Sequence, residues 1–182
     1  MPAPLVPFPP AESKLLVPEK AVQAALERMA AEITADLAGR HPLVITVMTG
    51  GLVFAGQLLP KLRFPLECDY VHVRRYGSGT SGGELQWLAG PHADVASRSV
   101  LLLDDILDEG KTLAAVRDVL LERGAREVKI AALTRKERSA PPAVEADYVG
   151  LAVPDRFVFG FGMDVDGAYR NLPAIYTMDG DG

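Results

Sequence analysis

Val22, Leu26, Met29, Ile33 and Leu37 recur every three to four residues, which places them on one face of an α-helix. Pro18 suits the first helical position and Gly39 ends the segment. Leu43–Met48 is an uncharged run rich in β-branched residues and reads as a buried strand, after which residues 52–62 return to a helical pattern. Valine-rich residues 70–75 predict another strand. Residues 77–83, GSGTSGG, have nothing to bury, so a flexible loop is expected there before a short strand at 84–88. Residues 99–103 form an apolar strand ending on Asp104 and Asp105, residues 113–123 a helix closed by Gly124, and residues 127–133 the next strand. Three further apolar segments, 147–153, 158–161 and Ile175–Met178, are separated by Pro154, Gly162 and Pro173. Strands alternating with helices predict an α/β domain with a central, mostly parallel twisted sheet flanked by helices.

The 182 residues fit a single domain, and no repeat or linker divides them. Hydrophobic residues at 48% and charged residues at 24% exclude a disordered, collagen-like or disulfide-scaffold chain. Nineteen Lys and Arg against 24 Asp and Glu leave a net charge of −5, so no basic field is present to hold nucleic acid. Prolines at positions 2, 4, 7, 9 and 10 break any apolar targeting core, and residues 1–17 read as a loose leader. The uncharged stretch from Pro42 to Pro60 is long enough to raise the question of a membrane span. Thr46, Thr49 and the Gly50-Gly51 pair instead divide it into strand, turn and helix, so no membrane and a cytoplasmic location are expected. The single cysteine, Cys68, cannot form an internal disulfide and reads as a small buried hydrophobe in a reducing compartment. His41, His72 and His92 are scattered and form no metal-ligand pattern.

Candidate chemistry concentrates in residues 100–112, VLLLDDILDEGKT, a buried strand running through three aspartates into a Gly-Lys-Thr turn that opens a helix. Ligands of open α/β sheets bind at the carboxyl ends of strands, and a helix N-terminus offers free N–H groups to a phosphate. A phosphate site at Gly110, Lys111 and Thr112 follows. An NTPase P-loop would need glycine five residues before Gly110, where Asp105 stands. Two adjacent carboxylates before a phosphate cradle suit a ligand that presents hydroxyls and a divalent cation, as a phosphorylated ribose with Mg²⁺ would. The plainer reading is a pair of solvated turn residues with a capping aspartate.

This strand, its acidic pair and the Asp-Glu-Gly-Lys-Thr turn resemble the phosphoribosyl-pyrophosphate motif of the purine phosphoribosyltransferases, in their hypoxanthine-guanine branch. Residues 48–54, MTGGLVF, are similar to that family's pyrophosphate loop, Arg75-Tyr76-Gly77 to the start of its mobile lid, and Lys136 to its base-reading lysine. Residues 155–164, DRFVFGFGMD, with residues 169–173, YRNLP, resemble its C-terminal hood. The resemblance spans residues 43–178. It implies the type I phosphoribosyltransferase fold, with a lid over 74–90 and a hood at 154–178 covering the base site. It also implies an enzyme that transfers the 5-phosphoribosyl group of phosphoribosyl pyrophosphate to hypoxanthine or guanine, releasing pyrophosphate, in purine salvage. Carried across by position, Asp104 and Asp105 would bind the ribose hydroxyls, Asp108 would handle the purine proton, and Glu109, Gly110, Lys111 and Thr112 would wrap the 5′-phosphate. Thr49, Gly50 and Arg170 would contact pyrophosphate. Lys136, Phe157, Val158 and Asp164 would form the purine side, and Asp104 and Asp164 would stand at Mg²⁺. The family's habit of forming homodimers or homotetramers comes with the resemblance.

Glu109 stands where the family usually has Thr or Ser. A carboxylate about 5 Å from a phosphate is repelled by roughly 3 kcal/mol at an effective dielectric near 20, so its side chain is expected to turn away. Thr49 replaces a cation in many relatives, and Arg74 or Arg75 is expected to compensate. Duller readings stand beside these. Lys136 sits in the charge run 135–138, Arg170 suits a surface ion pair, and Phe157, Phe159 and Phe161 alternate as in an ordinary strand. A regulator of the same fold that binds phosphoribosyl pyrophosphate and nucleic acid is the second functional reading, disfavoured by the acidic charge. A third is an enzyme for xanthine or another base.

Overall fold

The computed structural model describes residues 7–75 and 85–178; Tyr76, the loop expected at 77–83 and the side chains of Arg75 and Leu85 lie outside the described residues. The chain begins with β1 (Ser13–Val17) and α1 (Glu19–Leu37), then β2 (Leu43–Met48) and α2 (Gly51–Leu58), which tightens into a 3₁₀ turn at Leu59–Lys61. β3 (Glu67–Arg75) and β4 (Leu85–Ala89) precede β5 (Ser99–Leu107), α3 (Lys111–Glu122) and β6 (Glu127–Glu137). β7 (Tyr148–Pro154), β8 (Val158–Phe159) and β9 (Ile175–Met178) complete it.

Among the described residues six strands form the central sheet in the order β4-β3-β2-β5-β6-β7, parallel except for β4, which runs antiparallel to β3. The alternation of side chains along β5 explains the layering. Leu101 and Leu103 face a core with Leu26, Met29 and Ile33 of α1 and Phe54 and Leu58 of α2, whereas Val100 and Leu102 face Val116 and Leu120 of α3. Both faces are therefore covered, which is why β2 and β5 could carry nearly continuous apolar runs. Connections from β2 lead through α2 to β3 on one side, and those from β5 lead through α3 to β6 on the other. The strand order thus reverses between β2 and β5, and a crevice opens at their carboxyl ends.

Several elements depart from the sequence expectation. Residues 13–17, expected in a loose leader, form β1 and pair antiparallel with β9 through Ser13↔Met178, Lys14↔Thr177 and Leu15↔Tyr176. The prolines that break structure stop at Pro10, and Leu16 and Val17 then pack against the α1 core. β9 also pairs with β8, giving a three-stranded hood, β1-β9-β8, separate from the main sheet. Cys68 is exposed rather than buried, because Val71 and Val73 take the core face of β3 and Cys68 has the opposite parity. Among the described residues no helix is long and apolar enough to cross a membrane.

α1 is fastened to β7 by polar contacts as well as by its apolar stripe. The Tyr148 hydroxyl donates to Asp36 Oδ2 at 2.6 Å, and Arg28 donates to the carbonyls of Val149 and Gly150. The Tyr148 hydrogen bond, with Lys129 and Arg40 nearby, outweighs burial and holds the Asp36 carboxyl below its ordinary range. Tyr148→Phe is expected to cost about 1 kcal/mol in urea unfolding at neutral pH. Because the folded pKa of Asp36 is depressed, this contribution is present above the unfolded value of about 4 and fades as pH falls through the folded one. The gap between wild type and variant should therefore close in strong acid.

Candidate active site

β5 runs to Leu107, past the end expected at Leu103, so Asp104 and Asp105 lie within the strand. The apolar pattern stops at Leu103, but the ladder to β6 continues through Asp104↔Ala132, Ile106↔Thr134 and Leu107↔Arg135. Pairing with β2 ends at Thr46↔Leu103, so beyond that point one edge of β5 faces the crevice. The fully buried Thr134 hydroxyl donates to the Asp105 carbonyl at 2.9 Å and steadies this stretch, whose other edge is open. The Asp105 N–H donates to Asp104 Oδ1 at 3.0 Å. Both side chains are buried. Burial, followed by the neighbouring negative charge of Asp105, holds Asp104 well above the usual carboxylate range. Burial also raises Asp105, against hydrogen bonding to Asp104 and the positive charge of Arg170. A buried carboxylate pair of this kind gains most from a cation or from hydroxyl donors. Among the described residues no three His, Cys, Asp or Glu side chains converge on one point. A divalent cation would accordingly take one or two carboxylates and complete its shell from ligand oxygens and water, which is how Mg²⁺ binds beside phosphates.

After β5 the chain turns through Asp108 and Glu109 to Gly110, whose φ of 72° starts α3 at Lys111, two residues before the expected start. The Ala143 N–H donates to the Glu109 carbonyl at 2.8 Å, so the loop after β6 buttresses the turn. The Glu109 carboxylate pairs with Lys111 Nζ at 3.0 Å. Residues 109–112 with Asp104 and Asp108 line a cavity of about 460 Å³ at the α3 N-terminus. Its lining matches a phosphate in one respect, the run of main-chain N–H groups that a helix start exposes.

A second cavity of about 370 Å³ shares Asp104, Ile106 and Asp108 with the first and continues between Gly50, Lys136, Phe157, Val158, Asp164 and Arg170. Lys136 Nζ lies 2.9 Å from Asp108 Oδ2. Phe157 is 44% exposed, while Phe159 and Phe161 are fully buried, so the alternation separates one available ring from two core rings. Arg170 donates to the Gly162 carbonyl at 2.6 Å and pairs with Asp164 at 2.7 Å. Asp164 in turn accepts from the Gly167 N–H. Arg170 is thus held inside its own turn, facing the crevice, rather than on the outer surface.

The crevice therefore gathers Asp104, Asp105, Asp108, Lys136, Phe157, Val158, Asp164 and Arg170 with the 109–112 turn. Thr49 is exposed and lines neither cavity; its neighbour Gly50 does. The Met48–Thr49 peptide is cis. Arg74 is exposed on β3. Two contributors were not visible in the sequence. Arg138 belonged to a charge run read as solvated, yet its guanidinium lies 2.5 Å from Asp108 Oδ1. Gly162 looked like a separator between strands, yet a Cβ there would sit 2.3 Å from the Gly50 carbonyl.

Residues 15–166 match the phosphoribosyl transferase domain family. A hypoxanthine-guanine phosphoribosyltransferase of Streptococcus thermophilus is 36% identical over 166 residues, covering 91% of this chain and 92% of the relative. The bifunctional protein TilS/HprT of Listeria innocua is 40% identical over 163 residues, 89% of this chain, which spans only 25% of that longer protein. The crystal structure of a hypoxanthine phosphoribosyltransferase from Staphylococcus aureus superposes with a TM-score of 0.85 at 31% identity, covering 91% of each chain. The crevice at the strand-order reversal, the acidic strand end and the agreement over nearly the whole chain converge: this protein belongs to the phosphoribosyltransferase family, in its hypoxanthine-guanine branch.

Proposed function

We propose that the chain transfers the 5-phosphoribosyl group of phosphoribosyl pyrophosphate to hypoxanthine or guanine, releasing the nucleoside monophosphate and pyrophosphate. The observation that carries this reading is the pair of adjoining cavities that share Asp104, Ile106 and Asp108. One ends on a helix N-terminus suited to a phosphate, and the other on an exposed ring and a lysine suited to a planar base. A ribose 5-phosphate bearing a base at C1′ needs such an arrangement.

In this reading Asp104 and Asp105 accept the ribose hydroxyls, and backbone N–H groups of residues 109–112 hold the 5′-phosphate. The Glu109 carboxylate is paired with Lys111, which offsets the repulsion that its charge would otherwise exert on that phosphate. Gly50 and Arg170 face the leaving pyrophosphate, and Arg170 adds fixed positive charge where negative charge develops. Thr49 lines neither cavity, so the pyrophosphate contact on this loop falls to its neighbour Gly50. Mg²⁺, held by Asp104 and Asp164, would supply charge neutralisation on the pyrophosphate oxygens. Phe157 stacks on the purine, Val158 meets its edge through backbone groups, and Lys136 donates to the exocyclic O6. Adenine presents an amino group at that position, which leaves two donors facing each other. Asp108 accepts the ring proton as the purine nitrogen bonds to C1′. Closure of the 74–90 segment, cytoplasmic location and assembly as a homodimer or homotetramer belong to the same proposal, by likeness to the family.

Incubation with Mg²⁺, phosphoribosyl pyrophosphate and each of adenine, hypoxanthine, guanine, xanthine and uracil tests the assignment. Monophosphate product is expected with hypoxanthine and guanine. A preference for adenine would contradict the role of Lys136, and no turnover with any base would favour a regulator of this fold.

A further inference from the structure

Asp108 is divided between two cations. Its Oδ2 lies 2.9 Å from Lys136 Nζ, and its Oδ1 lies 2.5 Å from an Arg138 Nη. The same Arg138 nitrogen is 3.3 Å from Asp155 Oδ1, at the base of the hood. The two partners differ in what they are free to do. Lys136 lines the base-side cavity and has no other ion-pair partner among the described residues, so a purine O6 that draws its ammonium away vacates Oδ2. Through that one nitrogen Arg138 bridges the turn after β5 and the segment before β8, a second anchor that Lys136 lacks among the described residues.

We propose that Arg138 is a positioning residue for the transfer: it holds Asp108 by Oδ1, ionised and aimed, while Lys136 exchanges Oδ2 for the incoming purine. This rests on the reading of Asp108 and Lys136 as the purine-side pair. Oδ2 is then the oxygen that meets the ring N–H, and the ring proton moves onto it when the purine nitrogen bonds to C1′ and the pyrophosphate leaves with the bonding electrons. Without Arg138, departure of Lys136 would leave the carboxylate free to rotate and without a counter-charge.

The electrostatics agree. Burial pushes Asp108 up, but hydrogen bonds and charge from Lys136 and Arg138 more than offset it, and the carboxyl sits below its ordinary range. The other charged groups lining the cavities around it are Asp104 and Asp105 at the end of β5, Glu109 and Lys111 on the turn, Arg135 and Glu137 on β6, and Asp164 and Arg170 in the hood; Asp155 faces it from beyond Arg138. The cations that act on Asp108 are Lys136 and Arg138. In the substrate complex, where Lys136 is engaged elsewhere, Arg138 is the cation that keeps Asp108 ionised.

The test is steady-state turnover of the full chain with hypoxanthine and phosphoribosyl pyrophosphate across pH, for wild type, Arg138→Met, Arg138→Lys and Asp108→Asn. Arg138→Met is expected to lower kcat/KM for hypoxanthine about tenfold, the scale of one charge-assisted hydrogen bond at a half-exposed site. It should also move the acidic limb of kcat to higher pH, and move it further than the limb of kcat/KM, since kcat reports the complex in which Lys136 has left. Because Arg138 also lines the phosphate-side cavity, the KM for phosphoribosyl pyrophosphate should rise a few-fold at most, and Arg138→Lys, which keeps the charge, should restore most of the limb. An unmoved acidic limb in Arg138→Met overturns the proposal, as does a general loss of activity that Arg138→Lys fails to rescue. If Asp108→Asn turns over normally, the purine-side reading itself fails. If Asp108→Asn is slow while Arg138→Met is normal, only the role given to Arg138 fails.

Discussion

Asp108→Asn is expected to lower kcat with hypoxanthine by about 10²- to 10³-fold, within the span that a positioned general base contributes. The residue stands at the junction of the two cavities, between the 109–112 turn and Lys136. Its carboxylate is kept ionised by Lys136 and Arg138 against the opposing effect of burial. An amide of the same shape can accept a hydrogen bond but cannot take the ring proton as the new bond to C1′ forms. In the proposed mechanism the ribose and phosphate are held by Asp104, Asp105 and residues 109–112 rather than by Asp108, so the KM for phosphoribosyl pyrophosphate should change by no more than a few-fold. Thermal unfolding monitored alongside excludes collapse of the fold. A kcat within threefold of wild type would remove Asp108 from the chemistry.

Gly162→Ala should be nearly as damaging for a different reason. Gly162 has a φ of 106°, and a Cβ there would lie 2.3 Å from the Gly50 carbonyl oxygen and 3.2 Å from Asp105 Cβ. The nearest obstacle is backbone, which cannot swing aside as a side-chain end can. The Gly162 carbonyl also accepts from Arg170, and its N–H donates to the Arg170 carbonyl. Relief of the clash must therefore shift the 49–50 loop, or Arg170, or both, and both face the pyrophosphate in the proposed mechanism. A displacement near 1 Å at a reacting centre costs about 10²-fold, so kcat/KM for phosphoribosyl pyrophosphate should fall by about that factor. The strained φ should add about 1–3 kcal/mol of destabilisation in urea unfolding. A variant with wild-type kinetics and stability would show that the hood does not set the position of the pyrophosphate loop.

Local pattern carried most of the main sheet. The runs at Leu43–Met48 and 99–103 are apolar because both faces of β2 and β5 are covered, and such runs are legible without a structure. The sequence places strand ends too early wherever polarity rises before pairing stops. β5 continues through Asp104 and Asp105 to Leu107, and β6 through Thr134 to Glu137, because hydrogen-bond ladders do not require apolar side chains. β1 was hidden for the opposite reason: its five residues follow a proline-rich stretch, and its partner β9 lies at the far end of the chain. Cys68 shows the limit of residue type as a guide, since its exposure follows from its parity relative to Val71 and Val73.

The candidate site divides in the same way. The acidic pair, Asp108 and the Gly-Lys-Thr turn occupy one continuous stretch whose order of residue types has a physical meaning at a strand end. Lys136, Phe157 and Arg170 stand out only by resemblance, because each alone fits a solvated or core position equally well. Arg138 and Gly162 were out of reach. Their significance rests on contacts distant in sequence, above all to Asp108 and to Gly50, across 30 and 112 positions.

A crystal structure of the chain with guanosine monophosphate would test the central claim most directly. The account predicts the 5′-phosphate on the backbone N–H groups of residues 109–112, the ribose hydroxyls on Asp104 and Asp105, and the purine against Phe157. The guanine O6 should accept from Lys136, and Lys136 should have left Asp108 Oδ2 while Arg138 remains on Oδ1. A nucleotide bound elsewhere, or one in this crevice with its base on the helix N-terminus and its phosphate on Lys136, would contradict it.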